Sequence, residues 1–303
     1  MPIRPIEIPS RSDVAALLSP AEMSAIDRLR LVPRRNFTGA LRGERLTSRK
    51  GMSTEFADYR SYEEGDDLRH VDWNVLARLG YAVTKTYRDE EDLAVHLLLD
   101  RSASMEFGEP TKRQFAARLG AGLGQMALAG GDALYAQWLG GRTKPVVMRG
   151  RSNLPKFNRW LDAEPSDPAP SLSEAIERFL RSGAQSGIVI LITDGLDPRL
   201  PSVLPLIGAR GHDLMLLQVL SPIELDPDLE GDLRLVDSES GEVVDVTANA
   251  YALTEYRKAL DSHLEAVKRA CERGSGRYIK VSTADNILTT LTQTLKRHGW
   301  VRS

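Results

Sequence analysis

Asp100, Ser102 and Ser104 follow an apolar run in the stretch HLLLDRSASMEFGE, His96 to Glu109. Side chains of an extended segment alternate between two faces, so these three lie on one side and converge on one point. A carboxylate and two hydroxyls are hard oxygen donors, the chemistry of a cation site. A second aspartate, Asp194, ends another apolar run in GIVILITDGLDPR, Gly187 to Arg199. Neighbouring strands of one sheet would bring Asp100 and Asp194 to one crevice, where their like charges repel without a counter-ion. Magnesium suits such a set, because it prefers about six oxygens in octahedral geometry and keeps several waters.

The elements that must position these residues are readable from the pattern. From residue 93 onward, short apolar runs alternate with amphipathic segments. The spacing predicts strands at residues 93–99, 133–139, 145–148, 187–193, 213–220 and 278–281. It predicts helices at residues 112–129, 154–161, 172–181, 200–209, 250–272 and 284–297. Continuous Val/Ile/Leu runs between helices mean strands covered on both faces: an α/β fold with a doubly wound, mostly parallel sheet and ligands at the strands' carboxyl ends. Two alternating runs around Ser238 to Gly241 interrupt the order and predict a hairpin insertion at about residues 232–247.

Two segments precede this domain. Residues 1–35 form a helical arm, announced by Ser19, Pro20 and Glu22 as a capping box, with Met23, Ile26 and Leu29 as its apolar stripe. Residues 36–92 are polar and charged, and AVTKTYRDE within them alternates like a strand. Arg60, Asp66, Asp67, Arg69, Asp72, Trp73 and Arg78, between Gly65 and Arg78 or close by, read equally as an ordered ion-pair network or as a solvated loop.

Composition excludes several classes. The 303 residues carry 40 basic and 42 acidic side chains, a balance that recruits neither nucleic acid nor anionic lipid by global charge. Cys271 is the only cysteine, which excludes an intrachain disulfide framework and cysteine-rich metal sites. The apolar runs fall far short of the ~18 residues of a membrane span, and the N-terminus lacks the apolar centre of a secretory signal. A cytoplasmic protein is expected.

The pair DxSxS and ITDG resembles the metal-ion-dependent adhesion site of von Willebrand factor A-like domains. The longer run from Gly51 to Met105, with EFxDYRxYxxGDDxRxxDWxxxAR followed by LLLDxSxSM, resembles domain-of-unknown-function family 58. SPIELDP, VDSESGEVVDV and the segment from Tyr251 to Asp285 agree with it, so the resemblance covers about Phe37 to Arg297. It implies a von Willebrand A-like fold and a non-enzymatic adaptor or chaperone-like role beside a MoxR-type AAA+ ATPase, acting on a client protein. It also implies that Ser102 and Ser104 bind magnesium directly and that Asp100 and Asp194 act mostly through water. The metal then keeps an open position for a partner's carboxylate. The pattern departs at one point. A proline stands about where the threonine of the middle loop belongs in SDPAPS, and Ser171 is only its neighbour, so a degenerate site that keeps the fold and loses the ion is the alternative to a magnesium site.

Other readings remain at this stage. Ser102 and Ser104 can instead cap a following helix, and Asp194–Gly195 can be a plain turn. A magnesium-dependent phosphatase of the haloacid dehalogenase kind would use Asp100 as nucleophile, with Asp194 and Asp197 on the metal. Such chemistry usually needs a carboxylate two residues after the nucleophile, and here that residue is Ser102. Gly120, Gly122 and Gly124 lack the placement of a dinucleotide fingerprint and fit close helix packing. His96 and Cys271 read as core residues, and Lys112 belongs to no phosphate-binding loop.

Overall fold

The computed structural model describes residues 17–35, 56–64, 66, 68–87, 93–139, 144–163, 171–239 and 241–303. Gly65 and Asp67 of the charged block, the first sixteen residues, and the proline-bearing stretch before Ser171 lie outside the described residues. The chain divides into two units, Phe37–Asp92 and the remainder.

In the larger unit the arm helix α1 (Pro20–Ile26) starts where Ser19 and Glu22 form the expected capping box, and β1 (Arg30–Leu31) follows. The smaller unit holds β2 (Phe56–Ser61), α2 (Trp73–Leu79) and β3 (Val83–Tyr87), with β2 and β3 antiparallel. Its described charges are ordered. Arg60 pairs with Asp66 at 2.5 Å, and Asp72 caps α2 through the Asn74 and Val75 N–H groups while accepting from the Tyr59 hydroxyl.

The rest of the larger unit continues as β4 (Ala94–Asp100), α3 (Lys112–Gly130), β5 (Ala133–Leu139), β6 (Val146–Arg149), α4 (Leu154–Asp162), α5 (Leu172–Arg181) and β7 (Ile188–Thr193). There follow α6 (Leu200–Ala209), β8 (Asp213–Leu220), the short α7 (Pro222–Leu225), β9 (Gly231–Val236), β10 (Val243–Ala248), α8 (Ala250–Arg273) and β11 (Arg277–Ser282). A helical stretch in three pieces from Ile287 to Arg297 and β12 (Val301–Arg302) end the chain.

Six strands form one sheet in the order β11-β8-β7-β4-β5-β6, parallel except for β6 at one edge. β4, β7 and β8 are buried along their whole length, because helices cover both faces. Leu97 and Leu99 meet α3 at Gly120, whereas Leu98, one step out of phase, joins Leu191, Ile207, Val267 and Cys271 under α5, α6 and α8. Full burial of each such side chain contributes about 1.5–3 kcal/mol. The α3 glycines are packing residues, as expected. A Cβ on Gly124 would stand 2.2 Å from the Phe157 ring of α4. β9 and β10 form the expected hairpin, paired Val243 to Val236. Among the described residues no helix is long and apolar enough to cross a membrane.

His96 is a core residue, with Nε2 2.8 Å from the Gln185 carbonyl oxygen. Its ring stacks on Tyr135 at 5.0 Å and meets His212 edge-on at 5.5 Å. Burial holds both imidazoles below their ordinary value of 6.5, His212 down to about 4, and the His96 and Arg35 charges add to the shift at His212. Between those values the unfolded chain takes up protons that the folded chain refuses, so stability falls as pH drops from 6.5 toward 4. The thermal midpoint of His212→Phe is expected to depend less on pH in that window than that of the parent. Parallel profiles for the two proteins would refute the assignment.

Candidate functional site at the carboxyl edge of the sheet

β4 and β7 are parallel neighbours, in register through Leu99 and Ile192, so Asp100 and the pair Thr193–Asp194 leave the sheet side by side. The sequence-predicted residues are thus gathered in one crevice. Asp100 is 1% exposed, and both its oxygens are engaged. Oδ1 accepts from the Ser102 N–H at 2.9 Å, and Oδ2 accepts from the Thr193 hydroxyl at 2.5 Å. Burial, reinforced by the Asp194 charge, pushes the Asp100 carboxyl up to about 6 against the pull of these hydrogen bonds.

Ser102 and Ser104 are part-exposed, with their hydroxyl oxygens 3.0 Å apart. Neither caps α3. That helix is capped by Thr111, and Ser102 precedes a short turn without a side-chain cap bond. The Ser104 N–H donates to Glu239 Oε1 at 2.8 Å, so the turn between β9 and β10 sets a carboxylate on the serine loop.

Asp194 meets a cation from within the chain. Lys112, in the first turn of α3, is fully buried, and its Nζ donates to Asp194 Oδ2 at 2.7 Å and to Glu224 Oε1 at 2.5 Å. Both acceptors are held from behind. Asp194 Oδ1 accepts from the Leu196 N–H. Glu224 Oε2 accepts from the Ser221 N–H and hydroxyl within the α7 capping box. The loop after β7 is pinned further, because Gln218 donates to the Asp194 carbonyl and itself accepts from the Tyr278 hydroxyl. Gly195 there has φ +70°, and a Cβ on it would stand 2.8 Å from Gln218 Nε2, so glycine is required.

The start of α5 is tied to the loop after β7 through the helix backbone and not through Ser171. The Ser171 hydroxyl accepts from the Glu174 N–H and caps α5, so it is spent on the helix. Asp197 ties that helix start to the loop after β7 by accepting from the Ser173 N–H at 2.9 Å. Among the described residues no group of three or more His, Cys, Asp or Glu is placed to hold a metal ion. Each oxygen of Asp100 and Asp194 already accepts a hydrogen bond, one of them from the Lys112 ammonium. As arranged, the two carboxylates are committed to donors of the protein, and the Ser102 and Ser104 hydroxyls are the part-exposed oxygens of the set.

Thr193, Glu224 and Glu239 take part without having been singled out from the sequence, and Lys112 was weighed there only as a phosphate-loop residue. For Lys112 the signal was present. It stands in helical register with Phe115, Ala116 and Leu119, on the buried stripe of α3, where a charge must find a fixed partner.

The family model described as "Protein of unknown function DUF58" matches residues 58–266. The chain belongs to this family. Among curated relatives of this DUF58 protein, Uncharacterized protein Rv1480 of Mycobacterium tuberculosis and Uncharacterized protein Mb1516 of Mycobacterium bovis are each 30% identical over 267 residues, covering 85% of this chain and 83% of theirs. Among solved structures, BatB of Bacteroides thetaiotaomicron is 16% identical with a TM-score of 0.41, over 68% of this chain and 98% of that one. An aerotolerance-related membrane protein of Bacteroides fragilis is 17% identical with a TM-score of 0.42, over the same shares.

Proposed function

We propose that this DUF58 protein is a non-enzymatic docking module of von Willebrand A-like type, working beside a MoxR-type AAA+ ATPase on a client protein. Its docking face is the carboxyl edge of the sheet, centred on Ser102 and Ser104. The observation that carries this reading is the carboxylate of Glu239 on the Ser104 N–H, brought from a distant hairpin. A loop that takes an acidic group from its own chain has the donors to take one from a partner. Phe107 and Leu196, on the loops after β4 and β7, and Ile223, in α7 after β8, are each more than a third exposed at this edge and supply apolar contact around the polar centre.

An enzymatic reading finds little support in the same residues. Asp100 is buried with both oxygens accepting hydrogen bonds, a poor state for a nucleophile, and Ser102 cannot serve as the general acid.

Binding to a MoxR-type ATPase of the same organism tests the proposal. Ser102→Ala with Ser104→Ala is expected to weaken binding about tenfold, the value of one or two charge-assisted hydrogen bonds. Glu239→Ala should strengthen it by vacating the Ser104 N–H. Affinities unmoved by both changes would remove the docking site from this edge.

A further inference from the structure

We propose that the ammonium of Lys112 is the permanent cation of this site, standing where a divalent ion would otherwise bind the loops together, and that the docking face works without metal. Three observations carry this inference. First, Nζ lies between two carboxylates whose other oxygens are already fixed by backbone donors, so the socket is preorganised for one cation of defined position. Second, the Phe107 ring lies 5.9 Å from Nζ, giving the ammonium an aromatic face in addition to its two carboxylates. Third, the contacts join the chain after β4 to the loop after β7, the two segments that carry Asp100, Ser102, Ser104 and Asp194, and add α7 after β8.

Taking an ammonium out of water is costly, and the cost is offset only where its partners are fixed in advance. That cost explains why Lys112 occupies a buried helix position only opposite two immobilised acids. It also separates this site from a metal centre in one functional respect. A metal ion offers an open coordination position to an incoming carboxylate, whereas a fully buried ammonium held by two carboxylates of its own chain offers none. Recognition then falls to the Ser104 N–H and the Ser102–Ser104 hydroxyl pair, which is where the Glu239 carboxylate sits. The inference rests on the docking reading only for this last step. The identity of the cation stands on the geometry alone.

Titration of the full chain with Mn2+, followed by electron paramagnetic resonance and by the thermal midpoint, tests it. The parent protein is expected to bind no Mn2+ at millimolar concentration and to keep its midpoint with Mg2+ or EDTA. Binding of Mn2+ that is lost in Ser102→Ala or Asp100→Asn would overturn the inference and leave the docking reading intact. Lys112→Gln, which removes the charge and keeps a polar chain, is expected to gain a midpoint rise with Mn2+ as the vacated socket accepts an ion. A folded Lys112→Gln protein indifferent to Mn2+ would also overturn it. If that variant does not fold, the parent titration alone decides. Partner affinity in EDTA should agree with that in Mg2+ to within about twofold, whereas loss of binding in EDTA contradicts the proposal.

Discussion

Lys112→Met is expected to lower the unfolding free energy by ~3–5 kcal/mol, the usual effect of removing one member of a buried ion pair. Methionine preserves most of the chain's volume, so the loss comes from charge and not from a cavity. Without the ammonium, Asp194 and Glu224 face each other unneutralised, with Asp100 one strand away and its carboxyl already raised by burial and by the Asp194 charge. Equilibrium denaturation in urea at neutral pH measures the effect. A second change, Asp194→Leu in the Lys112→Met background, should recover part of the loss, because it removes one of the stranded carboxylates. A Lys112→Met protein as stable as the parent would mean that the ammonium does not sit between these acids in solution.

Arg277→Met is expected to cost a similar ~3–5 kcal/mol, from the opposite end of the sheet. Arg277 begins β11 and Asp213 begins β8, and their side chains, 4% and 1% exposed, meet at 2.9 Å. The guanidinium also donates to the Val32 and Gly299 carbonyl oxygens, and Asp213 accepts from the Arg34 N–H at 2.6 Å. One ion pair therefore fastens the chain after β1 and the approach to β12 onto the amino end of the sheet, with Trp300 stacked 5.8 Å from the guanidinium. Burial disfavours the charged guanidinium and the Asp213 carboxylate offsets part of that effect, so each charge depends on the other. Beyond the global loss, amide exchange in residues 30–35 should quicken selectively in Arg277→Met. Uniform acceleration across the sheet would instead place the effect in the core.

The strands and helices of the main domain were legible because their patterns are local. Leu97, Leu98 and Leu99 are apolar without alternation since both faces of β4 are covered, and runs of that kind mark the interior strands of a parallel sheet. Ser19 with Glu22 marked a helix start for the same reason, as reciprocal capping needs only four consecutive residues. The convergence of Asp100 and Asp194 was also readable, because each closes a buried strand and ligand crevices of such sheets lie at that edge. The Gly120, Gly122 and Gly124 row was read correctly as packing, since no strand-turn-helix surrounds it.

What the linear pattern left open was which charge answers which. Two aspartates at one crevice require a counter-ion, and nothing local says whether it is a metal or a side chain. Only the tertiary structure decided that Lys112 crosses to Asp194 and Glu224, and that Glu239 reaches Ser104. Secondary structure and burial follow from short-range periodicity, which any window of the chain displays. Partners across a sheet edge depend on strand order and on the path of the intervening loops, and those emerge only when the whole domain has packed.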